Sequence, residues 1–189
     1  MHKNEPWWRR FLSTLRQSAA EQKRLQSLVM TALLIAMNIA LSSFRLQLTP
    51  QTRISFGFLV SALTGMLFGP VVAFNAGAIG DILTFFIAPG GPYFPGFTLT
   101  AALEGFVYGA FLYRRPVSLG RIAAARISVS LLLNVLLNTF WLVMLYGKSY
   151  ELLLPARLTK SLLLLPLEIL LLVAVGRAAQ KIARRTAVT

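Results

Sequence analysis

Three stretches of this chain, residues 25–44, 54–80 and 127–147, contain no charged side chain at all. Each is at least as long as the roughly 20 residues that an α-helix needs to cross the hydrocarbon core of a bilayer. Hydrocarbon offers the backbone no hydrogen-bonding partner, so a segment inside it must satisfy its own amides and carbonyls, and for single apolar runs the helix does so. Windows of spanning length, cut at charges, prolines and glycines, predict six transmembrane helices at about 28–44, 54–68, 71–88, 96–113, 122–146 and 154–176. Composition agrees, since 56% of residues are hydrophobic and only 13% charged, against about a quarter charged in a soluble domain. The expected fold class is an all-α integral membrane protein.

Only Phe68-Gly69-Pro70-Val71 separates the second span from the third. A Gly-Pro pair after an apolar run marks a tight turn, so these spans form a helical hairpin, the second being short enough to be broken or tilted. With six spans, 14 of the Lys and Arg residues fall at one end, within 1–27, 114–126 and 177–185, and 5 at the other, namely Arg45, Arg53, Lys148, Arg157 and Lys160. The positive-inside rule then places both termini in the cytoplasm of a multi-pass cell-membrane protein. The first 27 residues have no apolar core and no small-residue cleavage site, and so do not read as a signal peptide. Trp7, Trp8, Phe11, Leu12 and Leu15 recur near helical spacing among basic residues, as in a short amphipathic helix at the cytoplasmic interface. The expected organisation is a cytoplasmic amphipathic segment at 1–27, a six-helix domain at 28–180 and a basic cytoplasmic tail at 181–189.

Several chemistries are excluded. There is no cysteine, and the single histidine is His2, which removes disulfides, thiolate catalysis and cysteine metal sites. The segment 146–149, Tyr-Gly-Lys-Ser, ends like a phosphate-binding loop, but its first glycine would fall at Leu142 within an apolar run; at 75–80 Asn75 stands where a dinucleotide fingerprint needs glycine. Without a close carboxylate pair, a histidine cluster or a nucleophilic triad, no enzymatic activity and no bound cofactor are expected. A net charge of +13 that flanks apolar runs fits an anionic lipid surface rather than nucleic acid.

Polar residues inside spans are costly and mark function by default. Ser130, Asn134, Asn138 and Trp141 share one face of the fifth span; Arg157, Lys160, Ser161 and, deeper, Glu168 share a face of the sixth; Asp81 lies in the third, and Thr98, Thr100 and Glu104 in the fourth. In this topology Arg45, Arg53, Asp81, Thr98, Asn138, Trp141, Lys148 and Arg157 belong to the outer half and converge on an extracellular-facing pocket. Cations, amides and an aromatic at one depth suit a flat, polar, anionic ligand: the ring covers its face, amides and Asp81 match ring donors and acceptors, and Arg forks hold carboxylates. The sequence Ala-Pro-Gly-Gly-Pro-Tyr-Phe-Pro-Gly at 88–96 cannot continue a helix. It reads as a lid hinged at Gly90 and Gly91, with Tyr93, Phe94 and Phe97 turned toward the ligand, or else as a plain connector.

The motif at 93–113, YFPGFTLTAALEGFVYGAFLY, with GDIL at 80–83 before it and NTFWLVMLYGKSY at 138–150 after it, resembles the substrate-binding S-components of energy-coupling factor (ECF) vitamin transporters, and among them the folate-specific subunits most closely. The likeness covers about residues 28–180; the amphipathic N-terminus lies outside it. The resemblance implies the six-helix S-component fold, folate as transported ligand, and association with a transmembrane coupling protein and two cytoplasmic ATPases. It further implies that Ala32, Ala36 and Ala40 meet the coupling protein, where spacing alone shows only a smooth ridge that lets another helix approach. Gly105 and Gly109 are left as internal packing. S-components for thiamine, riboflavin, biotin or queuosine precursors share the fold, which does not fix the ligand; the cationic outer pocket favours folate, with its anionic tail. A stand-alone channel or facilitator would need a continuous polar path, which the apolar inner halves of the spans do not offer. A membrane assembly subunit leaves the outer charges without a reason.

Overall fold

The computed structural model describes residues 7–43, 46–49, 52–54, 56–87, 92–147 and 150–186. Arg45, Gly90, Gly91 and Lys148 lie outside them. The order is α1 (Trp7–Glu21), α2 (Leu25–Ser43), the short strands β1 (Leu46–Thr49) and β2 (Thr52–Ile54), α3 (Gly57–Phe68), α4 (Pro70–Ile87), α5 (Pro95–Leu112), α6 (Leu119–Ser128), a π-helical stretch (Val129–Leu137), α7 (Asn138–Tyr146) and α8 (Tyr150–Thr186). The strands pair antiparallel as a small hairpin between α2 and α3.

The predicted hairpin of helices is present. Gly69 adopts φ +89°, a conformation that costs a residue with a Cβ far more than glycine, and Pro70 opens α4, where its missing N–H is no loss. Two details differ from the windows read from sequence. Residues 52–54 pair in β2, so α3 is only 12 residues long. The last helix also does not stop at 176; it runs through the basic tail to Thr186, because Ala, Gln, Lys and Arg after Gly176 are good helix formers.

The most extensive contact is between α4 and α5. A Cβ at Gly77 would run into the Ala101 carbonyl, and one at Gly105 into the Ala73 carbonyl. Hydrophobic collapse does not drive helices together inside lipid, so such close backbone approach is a main source of packing attraction. Tyr108, Leu112, Ile122, Ala125, Val129 and Leu172 form a dense core between α5, α6, the π stretch and α8.

At the same end of the bundle, polar contacts tie distant segments together. Ser18 of α1 is fully buried; its hydroxyl donates to the Phe68 carbonyl at 2.8 Å and accepts from the Val71 and Val72 amides at 3.0 and 3.3 Å. Arg114 donates to Gln17 at 3.0 Å, and the Gln180 amide of α8 donates to the Arg115 carbonyl at 3.0 Å. The Ser18 and Gln180 bonds satisfy backbone groups that helix ends leave open.

Four helical stretches, Leu25–Ser42, Pro70–Ile87, Leu119–Tyr146 and Leu154–Lys181, are long and apolar enough to cross a membrane. Their exposed surface is hydrocarbon: Leu163 and Leu170 of α8, Met144 of α7 and Phe86 of α4 are each more than 60% exposed. In water such an exterior would aggregate; in a multi-pass membrane protein it faces lipid.

Candidate functional site

A cavity of about 480 Å³ opens among α2, α3, α4, α5, α6, the π stretch, α7 and α8. Its size lies in the range of small-molecule sites, roughly 300–1,000 Å³. The wall gathers Asn38 and Ser42 from α2, Ser61 from α3, Asp81 and Thr84 from α4, and Glu104 from α5. Across from them stand Arg126, Ser130, Asn134 and Asn138 along the fifth helical column, and Arg157, Lys160, Ser161 and Glu168 along α8. Half of the six acidic residues in the chain, Asp81, Glu104 and Glu168, therefore face one cavity.

The fifth column explains the row of polar groups on one wall. Ser130, Asn134 and Asn138 are four residues apart, close to one turn of either an α- or a π-helix, and all three reach the cavity. A π stretch of nine residues is long for an element that is usually a single turn and that occurs often at functional sites.

Two arginines in the wall are used differently. Arg126, 5% exposed, directs Nε and Nη2 to the two carboxylate oxygens of Glu168 at 2.9 and 2.7 Å. Its Nη1 donates to the Tyr108 hydroxyl at 2.8 Å, and its guanidinium lies 4.4 Å from the Phe58 ring centre. With two bonds to the carboxylate, one to the phenol and a ring face beneath, this group is held by protein. It forms a floor, and below the floor lies the apolar core. Arg157 instead donates only to the Asn134 carbonyl, at 3.2 Å, and has no carboxylate partner among the described residues. Asn138 adds a buried side-chain oxygen with no hydrogen-bond partner among the described residues. A buried acceptor in that state is rare in folded proteins, and a ligand donor is a natural match for it.

Among the residues singled out from sequence, Asp81, Asn138 and Arg157 come together on the cavity wall. Thr98, Tyr93, Phe94, Phe97 and Trp141 are not among the lining residues. They form a neighbouring cluster in which the Phe94 ring lies 5.7 Å from those of Phe97 and Trp141, and Tyr93 lies 5.1 Å from Phe85. The reason is local: Gly96 has no Cβ to keep the Phe94 and Trp141 rings apart, and the indole N–H is already taken by Thr100 at 3.1 Å. Thr98 links this cluster to the wall by donating to Asp81 at 2.7 Å. Ala32, Ala36 and Ala40 are exposed on α2, turned away from the Asn38 and Ser42 face, whereas Gly105 and Gly109 are buried against α4 and the α3–α4 turn.

Sequence reading counted Arg126 among the residues flanking the spans. The structure corrects this: Arg126 is in the last turn of α6 and buried. The signal was available, since Arg126 falls inside the predicted span 122–146, where an unpaired guanidinium is untenable, and Glu168 is the one acid of the sixth span.

The family model described as "ECF-type riboflavin transporter, S component" matches residues 22–162. A folate transporter, FolT, from Clostridium novyi (strain NT) is 39% identical over 145 residues, which cover 77% of this chain and 84% of the relative. FolT from Leuconostoc mesenteroides subsp. mesenteroides is 29% identical over 147 residues, covering 75% and 79%. The crystal structure of FolT bound with folic acid superposes with a TM-score of 0.73 at 32% identity, covering 81% of this chain and 92% of that one. Fold, cavity and sequence agree, and the chain belongs to the family of ECF-type transporter S components.

Proposed function

We propose that this protein is the folate-capturing subunit of an ECF-type importer. The observation that carries the reading is the cavity with a guanidinium, Arg157, that has no carboxylate partner among the described residues, and an unsatisfied acceptor, Asn138 Oδ1, in a chain whose relatives are folate transporters. Folate joins a flat ring rich in donors and acceptors to an anionic tail; Asp81 and Asn138 match the first, and Arg157 with Arg45 and Lys148 the second. Tyr93, Phe94, Phe97 and Trp141 stand beside the cavity as an aromatic cluster within reach of a bound ring, and Thr98 holds Asp81 in place from that side. The family model's description names riboflavin, a neutral ring system for which the cations of this cavity have no counterpart.

The Arg126–Glu168–Tyr108 floor and the apolar core beneath it support capture over conduction, because a channel needs a continuous polar path. Six columns, α2, α3, α4, α5, the α6–α7 column and α8, span the bilayer, the short α3 being completed by the strand hairpin. Lys and Arg concentrate at the end that carries α1, which puts both termini in the cytoplasm. No energy-supplying site is expected in this chain; the coupling protein, meeting the Ala32–Ala36–Ala40 ridge, and two ATPases supply it. Mass spectrometry of small molecules that co-purify with the detergent-solubilised protein tests the ligand. A bound pterin supports folate, a flavin or deazapurine reassigns the protein within the family, and an empty protein that binds no folate on titration overturns the reading.

A further inference from the structure

The family model begins at residue 22, and α1 ends at Glu21, so α1 lies outside the residues it matches. It is nonetheless built into the fold through Ser18. Phe11 packs against Phe106 of α5 at 6.3 Å between ring centres, and Glu21, the one acid of α1, is turned inward to Ser27, Arg24 and Arg114. What remains outward has a definite pattern. Trp8 and Leu12, 47% and 46% exposed, continue with the half-buried Leu15 and the exposed Ala19 as a strip at helical spacing. Arg9 and Arg16, both exposed and two turns apart, stand beside that strip, with the Arg9 guanidinium 5.2 Å from the Trp8 ring centre. The outward face thus offers an apolar strip, a flanking line of cations and no acid. The basic residues Lys23, Arg24, Arg114 and Arg115 continue the positive surface from the same end of the bundle.

We infer that α1 is a binding element for anionic phospholipid, seated at the headgroup–acyl boundary, which ties the α3–α4 turn to the membrane surface through Ser18. An apolar strip of Trp and Leu bordered by arginine partitions to that boundary, and each basic residue near an anionic leaflet changes the partition by about fivefold. The element is distinct from the ligand cavity, and it stands whichever vitamin the cavity holds.

The absence of cysteine makes the test clean. The full-length protein carrying Leu12→Cys with a bimane label is reconstituted in nanodiscs of phosphatidylcholine alone or of an equimolar mixture with phosphatidylglycerol, and quenching by nitroxide-bearing lipids of known depth is measured. The expected result is quenching from the headgroup–acyl boundary that strengthens with phosphatidylglycerol and loses that dependence in the Arg9→Gln/Arg16→Gln variant. Because both arginines are exposed, that variant keeps its fold, which size-exclusion chromatography and folate binding verify. A label that stays in water in both compositions, a depth indifferent to lipid charge, or shielding that appears only when a partner protein is added, overturns the inference.

Discussion

Arg126 and Arg157 line one cavity, and their different partners lead to different expectations. If Arg157 holds the ligand carboxylate as proposed, Arg157→Ala removes charge-assisted bonds, and folate affinity measured by titration calorimetry is expected to fall by about 1.5–3 kcal/mol while thermal stability is little changed; an unaltered affinity takes Arg157 out of the site. Glu168→Leu instead leaves the Arg126 guanidinium without its carboxylate in a poorly hydrated place. Removing one partner of such a pair destabilises by about 3–5 kcal/mol, read as a lower unfolding temperature in detergent. Replacing both, Arg126→Met with Glu168→Leu, recovers much of the loss, since no buried charge is then stranded. If the single variant is as stable as the parent, the floor is hydrated and the pair is not a structural lock.

The helices meet through two kinds of small-residue surface, and burial distinguishes them. Gly105 is buried where its missing Cβ lets the Ala73 carbonyl approach. Gly105→Val therefore forces α4 and α5 apart, at a cost of about 1–3 kcal/mol typical of overpacking, and moves Asp81 and Glu104 with them; lowered thermal stability and weakened folate binding should appear together. Ala36, by contrast, is exposed on α2 and away from the cavity. Ala36→Trp is expected to block co-purification with the coupling protein and to leave folate binding by the isolated subunit intact. Loss of both would show that the ridge packs within this chain.

For the molecule as a whole, the proposed orientation rests on charge asymmetry. Moving Arg126 from the flank to the interior, and counting Arg157 and Lys160 with the cavity, leaves thirteen basic residues at the α1 end against three at the other, so the correction sharpens the asymmetry. In intact cells, a membrane-impermeant maleimide should label Gln51→Cys and spare His2→Cys and Thr189→Cys until the membrane is permeabilised. Labelling of either terminus in sealed cells would reverse the topology, and with it the side from which the cavity fills.

By itself the sequence determined the class of protein, the run of apolar helices, the turn at Gly69, and the polar rows of the fifth and sixth spans that reach the cavity. It also determined that Ala32, Ala36 and Ala40 share one face. These follow from neighbours in the chain: an uncharged run of bilayer length has one low-energy backbone state in lipid, and the helical period then assigns faces. Tertiary structure alone decided which faces meet. Arg126 and Glu168 are 42 residues apart, and Ser18 lies 53 residues from the Val71 amide that it caps. Such pairs depend on how far each helix is rotated about its own axis, a quantity set by all its neighbours at once and by the glycines that let two backbones touch. The ring cluster of Phe94, Phe97 and Trp141 beside the cavity is of the same kind. Its residues were legible as aromatic, but whether they line the cavity or pack against one another was fixed by Gly96, where the absence of a Cβ lets two rings come together across helices.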